Sequence, residues 1–257
     1  YQRVASYFDG IELASSALPV GLEKEILESV KDKIPATVFT TPYKNPVNGT
    51  PQAVRDNLKE ADRLLREAGF VIKDGKRVDP KGEVFAIELL ADDPSFERFL
   101  LFWKPSLEKL GITVTVRIVD PAQYENRMRD FDFDITTDAW GQSLSPGNEQ
   151  REFWGSKAAA QNGSRNTMGI ADQGIDALIE KIIYAKSREE LIASTRALDR
   201  VLLAHDFIIP QWTYGFSRTA RWNRFSHPEK MPAYGASAFP TIWWFDDAKA
   251  KETAAKN

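Results

Sequence analysis

Apolar positions in the middle of the chain repeat with two different periods. A two-residue alternation predicts strands at 84–90, 112–119 and 131–138. Between them, apolar residues three and four apart predict helices that begin at Asp93-Pro94 and Asp120-Pro121. Strand–helix–strand connections of this length are crossovers, and crossovers join parallel strands. The pattern therefore predicts an α/β fold in which a mixed, largely parallel sheet is flanked by helices.

Four more helices and one more strand are predicted around this centre, and the first of these helices is a short one at 22–30. One helix begins at Thr50-Pro51 and ends at Gly69. Two helices follow the loop that ends at Gly169, and the second of them starts at Ser187 with a capping-box pattern. Alternation returns at 207–216 and places four residues on one face of a strand, namely Pro210, Trp212, Tyr214 and Phe216.

The composition and periodicity of the chain change beyond Arg218. Residues 219–257 are rich in proline and aromatic residues and show no sustained period. A segment of this kind is expected to pack on a different body from the sheet before it. We therefore place a domain boundary near Thr219.

Composition and charge narrow the functional classes. The chain has 257 residues, 42% hydrophobic and 28% charged, with a net charge of -3, so no basic surface is expected to attract nucleic acid. It has no cysteine, and its two histidines, His205 and His227, show no ligand spacing, so neither a metal site nor a cofactor is expected. No phosphate-binding loop and no run of eighteen apolar residues occurs.

The first ten residues carry neither an initiator methionine nor the basic-then-apolar layout of a signal peptide. We expect a processed chain, or a fragment whose N-terminal portion lies elsewhere.

The strand predicted at 131–138 runs into Trp140, Gly141 and a polar turn that starts at Gln142 and Ser143. Loops at the carboxyl ends of strands are where open α/β sheets place ligands. An aromatic side chain beside a glycine suits a ligand held by stacking and by main-chain hydrogen bonds. The plainer alternative is a core tryptophan followed by an ordinary surface turn.

The sequence gives weaker evidence for a catalytic site than for a ligand-binding site. A serine hydrolase needs a strained G-x-S-x-G turn, which Gly141-Gln142-Ser143 does not form. Carboxylates for glycoside hydrolysis could come from Asp132, Asp134 and Asp138, but one strand face of aspartates more often forms a polar edge. A secreted hydrolase and a plain interaction domain remain the rival interpretations.

Several long segments resemble the family 5 extracellular solute-binding proteins, and most closely their Yej-type oligopeptide-binding branch. The resemblance covers nearly the whole chain and is carried by GITVTVRIVDPAQYENRMRDFDFDI, WGQSLSPGNEQREFWGS, IDALIEKI, LDRVLLAHDFIIPQW and TIWWFDD. It implies a lobe of the type II periplasmic-binding-protein kind and the C-terminal portion of a two-lobed receptor. Residues 1–218 would form most of the second lobe, and residues 219–257 would complete the first.

The resemblance also implies ligand-binding residues. The tryptophan of this family motif flanks the ligand and main-chain groups after it bind a peptide, which points to Trp140, Gly141 and Gln142; Trp212 and Tyr214 would add aromatic contacts. Several peptide receptors place an aspartate where this chain has Ser143. A hydrogen bond from the peptide's ammonium to the Ser143 hydroxyl would then replace an ion pair, unless Asp138 or Glu149 serves instead.

The implied function is the solute-binding component of a periplasmic ABC importer, without catalysis of its own. Its ligand would be an oligopeptide or a peptide-like compound, with a receptor for an opine, a glycoside or another non-peptide solute as the alternative. Its partners would be the membrane permease of the transporter and the N-terminal portion of the same receptor. Ligand would bridge two lobes and favour their closed arrangement.

Overall fold

The computed structural model describes residues 2–213, 218–232 and 240–255. The chain divides into two compact units, Tyr1–Val4 with Gln211–Asn257 and Ala5–Pro210. This division falls somewhat before the boundary expected near Thr219. The assignment of the two parts to two lobes of a receptor stays a prediction.

The elements of the described residues are short strands and nine α-helices, with 3-10 turns at Lys31–Lys33 and Ala36–Phe39. In chain order they are β1 (Gln2–Arg3), α1 (Gly21–Glu28), α2 (Pro51–Glu67), β2 (Val71–Lys73), β3 (Lys76–Val78), β4 (Ala86–Ala91), α3 (Pro94–Glu108), β5 (Thr113–Ile118), α4 (Pro121–Arg129), α5 (Glu149–Trp154), α6 (Ser156–Ala159), α7 (Gln173–Ile183), α8 (Arg188–Ala204), β6 (Trp212–Thr213), β7 (Phe225–Ser226), β8 (Trp244–Phe245) and α9 (Asp247–Ala254).

The predicted helix starts are confirmed by their capping hydrogen bonds. The Thr50 hydroxyl accepts the Ala53 N–H at the start of α2, and Asp93 and Asp120 accept main-chain N–H groups in the same way. At the start of α8 the Ser187 hydroxyl accepts the Glu190 N–H. Local side-chain chemistry is enough to set these boundaries, which is why the sequence predicts them.

The α/β class is confirmed, and its parallel pair is β4 with β5. Their register runs from Ala86 opposite Thr113 to Ala91 opposite Ile118, and α3 makes the crossover between them. The other strand pairs among the described residues, β1–β6, β2–β3 and β7–β8, are antiparallel. The sheet is therefore smaller than the alternation along the chain suggests.

The strand predicted at 131–138 is wrong in extent, because only Ile135 pairs with β4. Ile135 donates to the Glu88 carbonyl at 3.2 Å, and its own carbonyl accepts the Leu90 N–H at 2.9 Å. On one side the Asp134 carboxylate, rather than a main-chain carbonyl, accepts the Glu88 N–H at 2.8 Å. Further back, Phe131 has a φ of 55°, which no strand residue adopts. One aspartate of the alternating pattern, Asp134, thus takes the place of a main-chain acceptor that a strand ladder would have used.

The strand predicted at 207–216 is also much shorter where the structure describes it. Within 207–213 only Trp212 and Thr213 are strand, paired with β1. Asp206, just after α8, has a φ of 52° and turns the chain away from the helix. Residues 214–217 lie outside the described residues.

The larger unit contains two apolar clusters. One lies among α1, α5, α7 and α8 and includes Leu27, Trp154 and Leu198, all fully buried. The other lies between the β4–β5 pair and helices α2 and α3, with Leu89 and Val114 at its centre. The segment that carries the predicted site leaves the second cluster at Ile135 and reaches the first at Trp140.

Two adjacent charged residues of α8, Asp199 and Arg200, are buried and hold the N-terminal loops. Arg200 binds Glu23 at 2.8 Å and donates to the carbonyls of Ser16 and Ala17. The Asp199 carboxyl accepts the Tyr7 N–H on one oxygen and the Ser15 N–H on the other, both at 2.8 Å. Burial raises the pKa of Asp199, although the donors around it act in the opposite direction.

We predict that Asp199→Asn destabilises the protein by about 2 kcal/mol, because an asparagine offers one acceptor where two main-chain N–H groups need two. Equilibrium denaturation in urea measures the change. Asp32→Asn, at an exposed position, is the matched control and should leave the free energy of unfolding unchanged. Equal stabilities for the two variants would contradict the role given to Asp199.

Candidate functional site

Residues 138–146, called here the Trp140 segment, connect Ile135 to α5 without regular secondary structure. Trp140 and Gln142 are half-buried, whereas Gly141 and Ser143 are exposed. Pro146, at the end of the segment, is buried. The segment therefore runs along the surface and is held at intervals by side chains that point inward.

The loop at 165–167 holds the start of the Trp140 segment. The Trp140 indole Nε1 donates to the Arg165 carbonyl at 3.2 Å, and the Arg165 guanidinium donates back to the Ala139 carbonyl at 3.1 Å. The Thr167 hydroxyl donates to Asp138 at 2.8 Å. Arg165 itself lies over the Phe153 ring, 4.8 Å from its centroid. These contacts fix the direction in which the segment leaves the sheet.

Trp154 of α5 lies beneath the segment and is fully buried. Its ring lies 5.2 Å from Trp140 and 5.0 Å from Tyr7, centroid to centroid. Burial raises the pKa of the Tyr7 hydroxyl, assisted by the nearby Asp199 carboxylate, so the cluster stays uncharged. Trp140 thus packs on the core while part of it remains exposed. This position is compatible with both interpretations made from the sequence, a tryptophan that contacts a ligand and a core tryptophan.

A chain of side-chain hydrogen bonds connects Trp154 to Gln142. The Trp154 Nε1 donates to the Gln150 Oε1 at 2.9 Å, and the Gln150 Nε2 donates to the Gln142 Oε1 at 2.8 Å. Gln150 is fully buried. Buried amides with satisfied partners are strongly oriented, so this chain fixes the Gln142 side chain relative to the core.

The main chain of the Trp140 segment is largely unpaired. Within the described residues, the N–H groups of 140–144 donate to no protein acceptor, and the carbonyls of 140–143 accept from no protein donor. Gly141 has open space where a side chain would be, and its φ is not in the left-handed region. The segment therefore offers consecutive donors and acceptors to whatever lies against it.

Four of the six predicted site residues lie together in the structure. Trp140, Gly141, Gln142 and Ser143 lie together in the Trp140 segment, and the Ser143 hydroxyl accepts the Ser145 N–H at 3.1 Å. Trp212 lies in the other unit, in β6, so its grouping with Trp140 stays a prediction. Tyr214 lies outside the described residues.

The aspartates considered for a hydrolase have separate structural partners. Asp132 accepts from Arg127 at 2.8 Å, Asp134 accepts the Glu88 N–H, and Asp138 accepts from Thr167. Glu149 accepts the Gly147 N–H at 2.9 Å. Each of these carboxylates therefore accepts a hydrogen bond from the protein itself.

Residues 2–213, 218–232 and 240–255 contain no group of three or more histidines and carboxylates that could hold a metal ion. Over the same ranges, no helix is both long and apolar enough to cross a membrane.

The residues that support the Trp140 segment from below and from the side were not identified from the sequence. Gln150 and Trp154 lie within the family motif WGQSLSPGNEQREFWGS but were given no role, and Arg165 lies in no motif; only the i, i+4 spacing of Gln150 and Trp154 indicates that they face each other across one helical turn. That Trp154 lies under Trp140 depends on how α5 packs, which the local pattern does not specify.

An anchored aromatic side chain beside exposed main chain can hold a small molecule or an extended peptide. The family described as bacterial extracellular solute-binding proteins, family 5 Middle, matches residues 23–162. The chain belongs to this family, as the sequence motifs predict.

Three relatives of known sequence show the extent of the similarity. An uncharacterized protein y4wM of Sinorhizobium fredii is 51% identical over 96% of this chain and 37% of its own length. In Agrobacterium fabrum, the probable peptide-binding protein YejA is 48% identical and the peptidoglycan-binding protein YepA 34% identical, each over 95% of this chain and 40% of its own length. The chain spans about two fifths of the length of these relatives.

Solved structures confirm the fold at low sequence identity. The oligopeptide-binding protein AppA of Bacillus subtilis, in complex with a nonapeptide, matches with a TM-score of 0.58 and 16% identity over 88% of this chain and 45% of that one. A periplasmic oligopeptide-binding protein of Thermotoga maritima, bound to mannohexaose, matches with a TM-score of 0.54 and 19% identity over 79% of this chain and 40% of that one. The fold is therefore of the type II periplasmic-binding-protein kind.

We predict that Trp154→Phe destabilises the protein by about 2 to 3 kcal/mol, because it opens a cavity under Trp140 and leaves the Gln150 carbonyl oxygen unpaired. Chemical denaturation measures the loss, and near-ultraviolet circular dichroism reports the aromatic cluster. Trp222→Phe, at a tryptophan that is 60% exposed, is the control and should change neither signal substantially. An unchanged stability in Trp154→Phe would contradict the supporting role of Trp154.

Proposed function

We propose that this chain is part of the solute-binding component of an ABC importer and binds peptides or peptide-like compounds along the Trp140 segment. The observation that carries the proposal is the run of unpaired main-chain groups at 140–144 beside the half-buried Trp140. An extended peptide has the complementary donors and acceptors at every residue. The relatives named as peptide-binding and peptidoglycan-binding proteins support the same ligand class.

Main-chain recognition explains how such a receptor would accept many sequences. The N–H groups of 140–144 and the carbonyls of 140–143 would pair with the ligand backbone, which is the same for all peptides apart from proline. Trp140 would pack against the ligand without requiring a particular side chain, because aromatic faces accept varied apolar partners. The contacts of Trp140 with Trp154 and Arg165 would keep it in place without ligand.

The function of the whole protein would follow from closure around the ligand. Ligand held by two lobes would favour the closed arrangement, and the membrane permease would recognise that form in the periplasm. The N-terminal portion of the receptor would supply the opposite side of the cleft. Trp212 and Tyr214 of this chain would add aromatic contacts. No catalytic step is part of this function, and the structural partners of Asp132, Asp134 and Asp138 are in keeping with that.

Recognition of a free peptide amine is not built into the Trp140 segment. Ser143 is uncharged, and its hydroxyl already accepts the Ser145 N–H. Asp138 and Glu149, the other candidates, accept hydrogen bonds from Thr167 and from the Gly147 N–H. We therefore propose that the ligand is held mainly by its main chain and not by its ammonium group.

We predict that Gly141→Ala lowers the affinity for peptides by about tenfold, or about 1.4 kcal/mol, because the added methyl group would stand between ligand and main chain. The complete protein encoded by the gene is dialysed against a pool of short synthetic peptides, and retained peptide is quantified by mass spectrometry. Stability should not change, because the methyl group meets no atom within 4 Å.

Gly49→Ala is the matched control for this experiment. A methyl group there makes only an ordinary contact with Val47, at 3.7 Å, and Gly49 lies outside the Trp140 segment. Its peptide retention should equal that of the unchanged protein. Retention by Gly141→Ala at the level of Gly49→Ala would show that ligand does not approach Gly141.

A second prediction concerns the ligand's amine. N-acetylation of the peptide pool should change retention by less than about threefold, because no carboxylate of the Trp140 segment is expected to pair with an ammonium. The measurement compares acetylated and free pools of identical sequence in the same dialysis. A loss of a hundredfold or so on acetylation would instead point to an ion pair of the ligand with Asp138, Glu149 or another carboxylate.

A further inference from the structure

Two arginines hold the main-chain carbonyls on either side of the unpaired run in the Trp140 segment. At the start of the run, the Arg165 guanidinium donates to the Ala139 carbonyl at 3.1 Å. At its end, the Arg188 Nη1 donates to the Leu144 carbonyl. The carbonyls of 140–143 lie between these two and accept from no protein donor within the described residues. The two arginines therefore bound the part of the main chain that is open to a ligand.

The stability of its own helix does not explain the presence of Arg188. Arg188 is the first residue of α8, where the N–H groups of the helix end carry partial positive charge and disfavour a cation. The start of α8 is capped without the Arg188 side chain. The Ser187 hydroxyl accepts the Glu190 N–H, and the Glu190 carboxylate accepts the Lys186 N–H. The Arg188 guanidinium instead makes its contacts outside the helix.

Those contacts join the Trp140 segment to a loop that the core holds in place. The Arg188 Nε and Nη2 bind the Glu12 carboxylate, while Nη1 reaches the Leu144 carbonyl. The Glu12 carbonyl accepts from Arg196 at 2.9 Å, and the next residue, Leu13, is fully buried. Glu12 therefore fixes the plane of the guanidinium, and a fixed guanidinium plane directs its remaining N–H groups along set lines.

We propose that Arg188 is a positioning residue for peptide binding, which keeps the end of the unpaired run in its binding conformation before ligand arrives. The inference rests on the proposed function, and Arg188 acts through the Leu144 carbonyl rather than through the ligand. Fixing a main-chain residue costs conformational entropy, and a segment that is ordered in advance does not lose that entropy on binding. Arg165 acts in the same way at the other end of the run.

The first test needs no ligand and uses the complete protein encoded by the gene. Leu144 is 39% exposed, so chymotrypsin can cleave after it once the local main chain opens. Arg188→Met keeps an unbranched side chain and removes every donor. We expect cleavage within 140–145 to become about fivefold faster, because proteolysis follows local opening. Intact-mass spectrometry identifies the cleaved bond, and melting temperatures are measured in parallel.

The second test measures retention of the short synthetic peptides by the same variants in equilibrium dialysis. Arg188→Met should lower the affinity by about tenfold, because the end of the run must then be ordered on binding. Arg188→Lys restores a charged donor that can reach Glu12 or the Leu144 carbonyl but cannot fork between them. Its loss of affinity should therefore be smaller, about threefold.

Arg63→Met is the matched control for both tests. Arg63 is an exposed arginine that binds two carboxylates, as a fork, but both partners, Glu60 and Glu67, lie on its own helix, α2. This variant should change neither the cleavage within 140–145 nor the retention of peptide. The comparison separates the loss of a surface arginine from the loss of the contact with the Trp140 segment.

The possible outcomes separate this inference from the proposed function. Faster cleavage and weaker retention in Arg188→Met, with retention partly restored in Arg188→Lys, support both. Either effect without the other, or neither, overturns the inference and leaves the proposed function standing. Should Arg188→Met not fold, Arg188→Lys alone decides, since it must still show both effects to a smaller degree. An unchanged protein that retains no peptide overturns the proposed function, and the inference with it.

Discussion

The contact between the buried Trp154 and the half-buried Trp140 is the constraint on which the candidate site depends. It ties an irregular surface segment to the helical core of the larger unit. An exposed run of main chain would otherwise sample many conformations, and ordering it on binding would cost about 1 to 2 kcal/mol per residue. The core absorbs that cost during folding, so the segment can present its N–H and carbonyl groups in a fixed direction.

Polar contacts position the Trp140 segment together with the aromatic contact. The Trp140 indole donates to the Arg165 carbonyl, and the Arg165 guanidinium donates to the Ala139 carbonyl. The Gln150 amide connects Trp154 to Gln142. Each of these bonds ends on a main-chain carbonyl or an oriented amide, so the segment is positioned by bonds of fixed direction.

The larger unit depends in turn on α8. Asp199 and Arg200 are buried side by side and take their partners from loops that are distant in sequence. A buried charged group that has all its partners contributes little net stability, yet removing one partner leaves a buried group unpaired. Their effect is to hold the N-terminal loops, and Tyr7 with them, against the aromatic cluster that supports Trp140.

Local chemistry in the sequence determined the helix starts, the crossover between β4 and β5, the α/β class and the family, because capping residues, apolar periods and long motifs are each read within a few neighbouring positions. It also singled out Trp140 and Gly141. Tertiary structure decided the rest. It reduced the strand at 131–138 to Ile135, since side chains of Asp134 and Arg127 took up bonds that a ladder would have used. It also placed Trp154 and Gln150 under the site, because no local pattern specifies which helix faces which loop.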